Sequence, residues 1–162
     1  MIPNEIDTRA LRDALGMFAT GVTIVTARPQ GGAPIGLTVS SFNAVSLTPP
    51  LIVWSLQMDS HNLEAFRTCS HYAVNVLAED QVWLSERFAA PVEDRFAGLD
   101  LRPGLGEAPL IPGCCAWFEC RNEIRHPGGD HLLFIGLVER FARGQGRPLL
   151  YFGGRYQGLA EL

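Results

Sequence analysis

Pro49 and Pro50 carry no backbone N–H to give to a sheet ladder, so they start a strand rather than interrupt one. The apolar run Leu51-Ile52-Val53-Trp54-Ser55-Leu56 that follows is therefore expected as a buried strand. Upstream, Gly36-Leu37-Thr38-Val39-Ser40-Ser41-Phe42 sets small hydroxyl residues between two expected strands. Short donors and unobstructed backbone suit an anionic or a planar ligand, and equally suit a polar edge strand. Downstream, the turn-forming Gly128-Gly129-Asp130-His131 feeds straight into Leu132-Leu133-Phe134-Ile135-Gly136-Leu137-Val138. This places His131 at a strand mouth, where it can donate to a ligand amide or cap the hairpin.

The same punctuation runs along the whole chain. Asp7 is expected to cap a first helix whose Leu11, Leu15 and Phe18 bury one stripe, with Gly21 ending it. Val22, Ile24 and Thr26 then alternate with Thr23, Val25 and Ala27 as in a strand, and Pro29-Gln30-Gly31-Gly32 turns the chain into the Gly36 segment as an antiparallel partner. Ser60 is expected to cap a short helix carrying Leu63 and Phe66. Residues 72 to 77 form another strand, and Asp80 caps a helix through Leu84 and Phe88. The Gly- and Pro-rich stretch from 98 to 113 is a loop before two long strands, about 115 to 125 and 131 to 141, and a short one at 149 to 152. Many strands without strict strand-helix alternation predict an antiparallel barrel with helical decorations.

A length of 162 residues suits one domain. Hydrophobic content of 47% beside 19% charged residues implies apolar surface covered by a second subunit, most economically in a homodimer. A formal charge of -4 without Lys or Arg clusters offers no footprint for nucleic acid. The segment Met1-Ile2-Pro3-Asn4-Glu5-Ile6-Asp7 does not resemble a signal peptide, and no membrane-spanning segment is visible, so a cytoplasmic protein is expected. Cys69, Cys114, Cys115 and Cys120 lack paired spacing and are taken as reduced thiols; His61, His71, His126 and His131 form no i, i+4 pair, so no metal site is expected. Trp54, Trp83 and Trp117 are assigned to core or interface. The Gly-x-Gly-x-x-Gly fingerprint is absent, so a nicotinamide cofactor has to bind without a Rossmann turn.

Taken together, Phe18-Ala19-Thr20-Gly21-Val22-Thr23-Ile24-Val25-Thr26, the segment from 36 to 42, Tyr72-Ala73-Val74-Asn75-Val76-Leu77, Arg87-Phe88-Ala89, Arg95-Phe96-Ala97-Gly98, the Gly-Asp-His turn and Gly154-Arg155-Tyr156 resemble the short-chain flavin reductase family. Its members are the small partners of two-component flavin-dependent monooxygenases. The resemblance implies one flavin reductase-like domain over 1–162, mainly β with short helices, an antiparallel split β-barrel of the FMN-binding type. It implies a homodimer, FMN or FAD, NADH or NADPH as hydride donor, and a monooxygenase that receives reduced flavin.

By the same resemblance Pro34, Ile35, Gly36, Leu37 and Thr38 run beside the isoalloxazine, with Ser40 and Ser41 as polar contacts. Ser55, Leu56 and Gln57 belong to the neighbouring strand. His61 and Asn62 lie near phosphate, beside the start of the Ser60 helix. Arg87 and Phe88 contact flavin, unless Arg87 sits in an exposed ion pair and Phe88 in the core. His131 is the catalytic candidate, meeting nicotinamide together with Tyr156. The alternatives are a protein that retains its flavin for electron transfer or redox sensing, and a dimeric ligand-binding module without turnover.

Overall fold

The computed structural model describes residues 6–162; most of the amino-terminal segment examined for a leader lies outside them. Helix α1 (Thr8–Leu15) starts at Asp7, whose carboxylate accepts the amides of Arg9 and Ala10. Strands β1 (Thr20–Gly21), β2 (Thr23–Ala27), β3 (Ile35–Val39), β4 (Asn43–Leu47) and β5 (Pro50–Gln57) follow, then α2 (Leu63–Thr68), β6 (His71–Val76) and α3 (Val82–Ala89). After two short strands, β7 (Arg102–Pro103) and β8 (Pro109–Leu110), come the long β9 (Ala116–Gly128) and β10 (His131–Arg143), and a last hairpin of β11 (Leu150–Phe152) and β12 (Arg155–Gln157).

Seven strands make one antiparallel sheet in the order β3-β2-β6-β9-β10-β5-β4. Its two edge strands, β3 and β4, are joined by Ser40-Ser41-Phe42 alone. A flat seven-stranded sheet would hold those edges about 29 Å apart, at roughly 4.8 Å per strand step. The four Cα steps from Val39 to Asn43 reach at most about 14 Å. The sheet therefore has to curl until its edges nearly meet, which produces an open barrel with a split beside Ser40 and Ser41. One rung beyond the Asn43–Val53 pair the Ser41 side chain replaces the ladder: its hydroxyl accepts the Ser55 amide at 3.0 Å and donates to the Ser55 carbonyl at 3.3 Å.

Two apolar clusters lie on the two faces of this sheet. Inside the curl, Trp54 stacks on Phe134 at 4.5 Å between centroids and meets Phe66 and Tyr72 edge-on. Such pairs add about 0.5–1.5 kcal/mol each beyond area burial. Gly136 leaves room for the Tyr72 phenol, where a Cβ would collide with the ring. On the outer face Val22, Ile24, Leu77, Leu84, Phe88, Ile111, Cys114 and Leu149 pack under α3. Strand β2 lies between both clusters, so all five of its residues are buried and the expected alternation is not an alternation of exposure.

Several boundaries differ from the sequence reading. Helix α1 ends at Gly16, and Leu11, Leu15 and Phe18 are 45%, 66% and 74% exposed, because no other element among the described residues covers their stripe. Gly21 belongs to β1 instead. The run at 51 to 56 buries only Ile52, Trp54 and Leu56, since its other face looks out of the curl. Asn62 holds the N-cap of α2, while the Ser60 hydroxyl accepts the Asn62 amide at 3.3 Å one step earlier. Asp80 falls in a 3-10 turn (Glu79–Gln81), and α3 begins behind it with Gln81 as cap. Residues 153 to 157 complete a hairpin that the single short terminal strand did not anticipate.

Candidate functional site at the barrel split

At the split, the end of β3, the end of β5 and the start of β10 surround a cleft of about 620 Å³. Leu37, Thr38, Ser40 and Ser41 form one wall, Ser55, Leu56 and Gln57 the opposite wall, and His61, Asn62, Phe88 and His131 complete the rim. These eleven sequence candidates therefore converge on one space, within the size range of small-molecule sites. A second cleft of about 760 Å³ lies beyond β3 and contains Pro34, Ile35 and Gly36. The segment from 34 to 38 is thus divided along its length, with 34–36 lining the second cleft and 37–38 the first.

Not every expected hydroxyl is available. Thr38 donates to the Ser85 carbonyl at 2.7 Å, fastening β3 to α3, and the Ser41 proton is committed to Ser55. Both residues shape the wall more than they serve a ligand as donors. Ser40 is exposed on the link and retains that capacity. Gly36 is held by close packing: an added Cβ would lie 2.9 Å from Phe88 and 3.1 Å from Phe96, rings that meet edge-on at 5.0 Å.

Arg87 is placed elsewhere. Phe88 points into the core from α3, so its neighbour, about 100° round the helix, points out. Arg87 lies over the Trp83 ring at 5.0 Å and donates to the Ala97 carbonyl at 2.9 Å, lining neither cleft. Arg95, to which the sequence assigned no ligand contact, takes the inner place. It donates twice to the Ala90 carbonyl and once to the Gly36 carbonyl, and it lines both clefts. The only sequence signal was a lone cation in the Arg95-Phe96-Ala97-Gly98 stretch, whose position against β3 comes from tertiary contacts.

At the mouth of β10 the His131 Nδ1 lies 2.6 Å from the Asp130 carboxylate. A carboxylate only accepts, so Nδ1 carries the proton and the neutral ring presents Nε2 as an acceptor. Protonated, the same ring donates from Nε2. Reciprocally, the hydrogen bond and positive charge of His131 hold the Asp130 carboxyl below the usual carboxylate range. Tyr156 lies apart from His131, in a hollow of about 190 Å³ that shares Thr38, Val39, Ser40 and Ala89 with the first cleft. Its hydroxyl pairs with that of Ser85 at 2.9 Å.

The remaining candidates are structural. Burial pushes the thiols of Cys114 and Cys120 up to about 12 and that of Cys69 to about 11, and all four cysteines are free thiols. Trp54 is core, whereas Trp83 is half exposed and Trp117 donates to the Ile111 carbonyl. No helix among the described residues is long and apolar enough to cross a membrane.

Comparison with known proteins agrees with this architecture. The family described as flavin reductase like domain matches residues 15–160. The FMN reductase (NADH) SmoA of Agrobacterium fabrum is 44% identical over 155 residues, covering 96% of this chain and 88% of that protein. The reductase component of the Acinetobacter baylyi flavin-dependent trigonelline monooxygenase is 44% identical over 148 residues, 91% of this chain and 48% of that protein. Indeed the chain spans about half the length of two of the curated relatives it matches. Among solved structures, the Streptomyces globisporus NADH:FAD oxidoreductase SgcE6, in complex with NAD and FAD fragments, superposes with a TM-score of 0.90 at 35% identity, covering 95% of this chain and 93% of that one.

Proposed function

The chain belongs to the flavin reductase-like domain family, and we propose that it is an NAD(P)H:flavin oxidoreductase that reduces FMN or FAD for a separate flavin-dependent monooxygenase. The observation that carries the reading is the convergence of the β3 end, the β5 end and His131 on one cleft at the barrel split. Its walls fit a flavin: Ser40 and Gln57 offer short polar contacts, Leu37 and Leu56 offer apolar edges, and the buried Phe88 backs the floor. Relatives named FMN reductase (NADH), NADH:FAD oxidoreductase and monooxygenase reductase component support the same activity, donor and recipient.

Flavin and nicotinamide, when bound, supply the hydride chemistry, with nicotinamide C4 giving and flavin N5 receiving. The protein binds and orients. Pro34, Ile35, Gly36, Leu37, Thr38, Ser40 and Ser41 flank the flavin from β3 and the link, Ser55, Leu56 and Gln57 from β5, and His61 and Asn62 lie toward its phosphate. His131 faces the nicotinamide side, its ring fixed by Asp130 so that Nε2 accepts from a carboxamide N–H or, when protonated, donates. Tyr156 would meet the nicotinamide from the neighbouring hollow, which shares Thr38, Val39, Ser40 and Ala89 with the cleft.

Residues 1–162 act as one domain in a homodimer in the cytoplasm. Phe18, Leu47 and Phe141, which are 74%, 92% and 76% exposed, favour a second subunit over their apolar surface. The decisive experiment is steady-state NADH and NADPH oxidation with FMN, FAD and riboflavin compared side by side. Flavin-dependent oxidation is expected; none above the protein-free rate, with the fold intact, would leave a binding module without turnover.

A further inference from the structure

A third cleft, of about 340 Å³, shares no lining residue with the two clefts beside β3. Arg28, the residue after β2, and Arg102 of β7 line it together with Leu101, Pro103, Glu107 and Pro109. We propose that this cleft binds a small organic monocarboxylate, independently of flavin. The two guanidinium groups hold its carboxylate, and Leu101, Pro103 and Pro109 cover its apolar body.

The walls are fixed before a ligand arrives. Strands β7 and β8 pair Arg102 with Leu110 and Pro103 with Pro109. The buried Pro109 offers its carbonyl to the Thr26 hydroxyl of β2 at 2.6 Å, which fastens the hairpin carrying Arg102 to the strand that ends beside Arg28. At the hairpin tip the largely buried Glu119 carboxylate accepts the Leu105 amide at 2.7 Å, and the Glu107 amide donates to the Gly104 carbonyl at 3.0 Å. These bonds hold Glu107 at a φ of 58°, in the left-handed region that a glutamate rarely adopts, and so set one carboxylate near Arg28.

Both cations keep donors in hand. Arg28 gives one Nη1 proton to the Gly32 carbonyl at 3.3 Å, while its Nε lies 4.0 Å from Glu107, beyond hydrogen-bond range. Arg102 lies over the Trp117 ring at 6.0 Å and has no carboxylate at ion-pair distance among the described residues. The Trp117 ring is itself held by its bond to the Ile111 carbonyl. A guanidinium fork matches a planar carboxylate. Two arginines against one glutamate leave the lining a net charge of +1, which a monoanion neutralises, whereas a phosphate dianion would face Glu107 in excess. The apolar wall favours a ligand with a hydrocarbon body over a bare ion.

The test titrates the full chain with benzoate by NMR, using benzamide as the neutral counterpart and inorganic phosphate as the bare anion, with and without saturating FMN. Benzoate should bind saturably with a Kd of about 1 mM or tighter, unaffected by FMN, and benzamide and phosphate about tenfold more weakly. Arg28→Gln and Arg102→Gln should each weaken benzoate about tenfold while flavin affinity holds. Glu107→Gln should tighten benzoate severalfold by removing the like charge, a gain that loss of fold cannot produce. No saturable binding, equal affinity for benzamide or for phosphate, displacement of benzoate by FMN, or one Kd across all three variants would overturn the site. If FMN itself does not bind, the reductase reading falls while the benzoate titrations still decide the third cleft.

Discussion

The Tyr156 hydroxyl lies 2.9 Å from the buried Ser85 hydroxyl, and this pair latches β12 onto α3 beside the cleft. Tyr156→Phe leaves Ser85 without its partner, at a cost of about 1–3 kcal/mol. Thermal melting should fall by several degrees, roughly 2–4 °C per kcal/mol for a domain of this size. Because the latch borders the proposed nicotinamide side, KM for NADH should rise while flavin affinity holds. An equal loss of both affinities would assign the pair to general stability.

His131→Ala should lower catalytic efficiency toward NAD(P)H by about one to two powers of ten with little change in flavin affinity, as expected for one lost hydrogen bond. His131→Asn retains a polar group and should recover part of it. A histidine that only caps the β9–β10 hairpin would show the reverse pattern, with lower melting temperature and unchanged kinetic constants.

Asp130 carries a pH signature. Its folded carboxyl titrates below the unfolded value because His131 donates to it and is positive when protonated. The stabilisation is thus fully present above about pH 4, the unfolded range, and is lost as pH falls through the lower folded value. Asp130→Asn should remove that acid-limb component from a stability-pH profile; an unchanged profile would show that the pair contributes nothing in solution.

Gly36→Ala should destabilise the protein by about 1–3 kcal/mol, because the new methyl presses on Phe88 and Phe96. Flavin affinity should fall with it as β3 shifts. Phe88→Leu in the same chain should relieve part of the loss, which denaturant titration of the single and double variants would read as non-additivity.

Sedimentation should give a dimer whose dissociation on dilution removes flavin binding at the same time. Leu47→Glu, on the exposed edge strand, should produce monomer without unfolding, since that side chain is 92% exposed within its own chain. A monomer that binds flavin at full affinity would dismiss a site shared between subunits.

Local chemistry made much of the fold legible. Prolines that cannot donate located the start of β5, the Gly-Gly-Asp turn located the β9–β10 hairpin, and Asp7 capped α1 as its side chain predicts. Apolar periodicity was less informative about burial. The stripe of Leu11, Leu15 and Phe18 has helical spacing but no partner among the described residues, because periodicity records which side chains avoid water and not which surface covers them.

The site divides along the same line. Residue type and order singled out Ser40 and His131, the resemblance to the flavin reductase family added Ser55, Gln57 and His61, and all five line one cleft. Which cation faces that cleft was decided only in three dimensions: Arg87 and Phe88 are sequence neighbours about 100° apart round a helix, so that one faces out and the other the core, while Arg95 reaches inward through bonds to backbone carbonyls of β3 and the end of α3. Curling the sheet was likewise a tertiary decision, since the three-residue link from β3 to β4 becomes a barrel constraint only when those strands are opposite edges of one sheet. Sequence specifies hydrogen-bonding capacity and local backbone preference residue by residue, whereas edge identity and the direction a side chain faces are properties of contacts between segments distant along the chain.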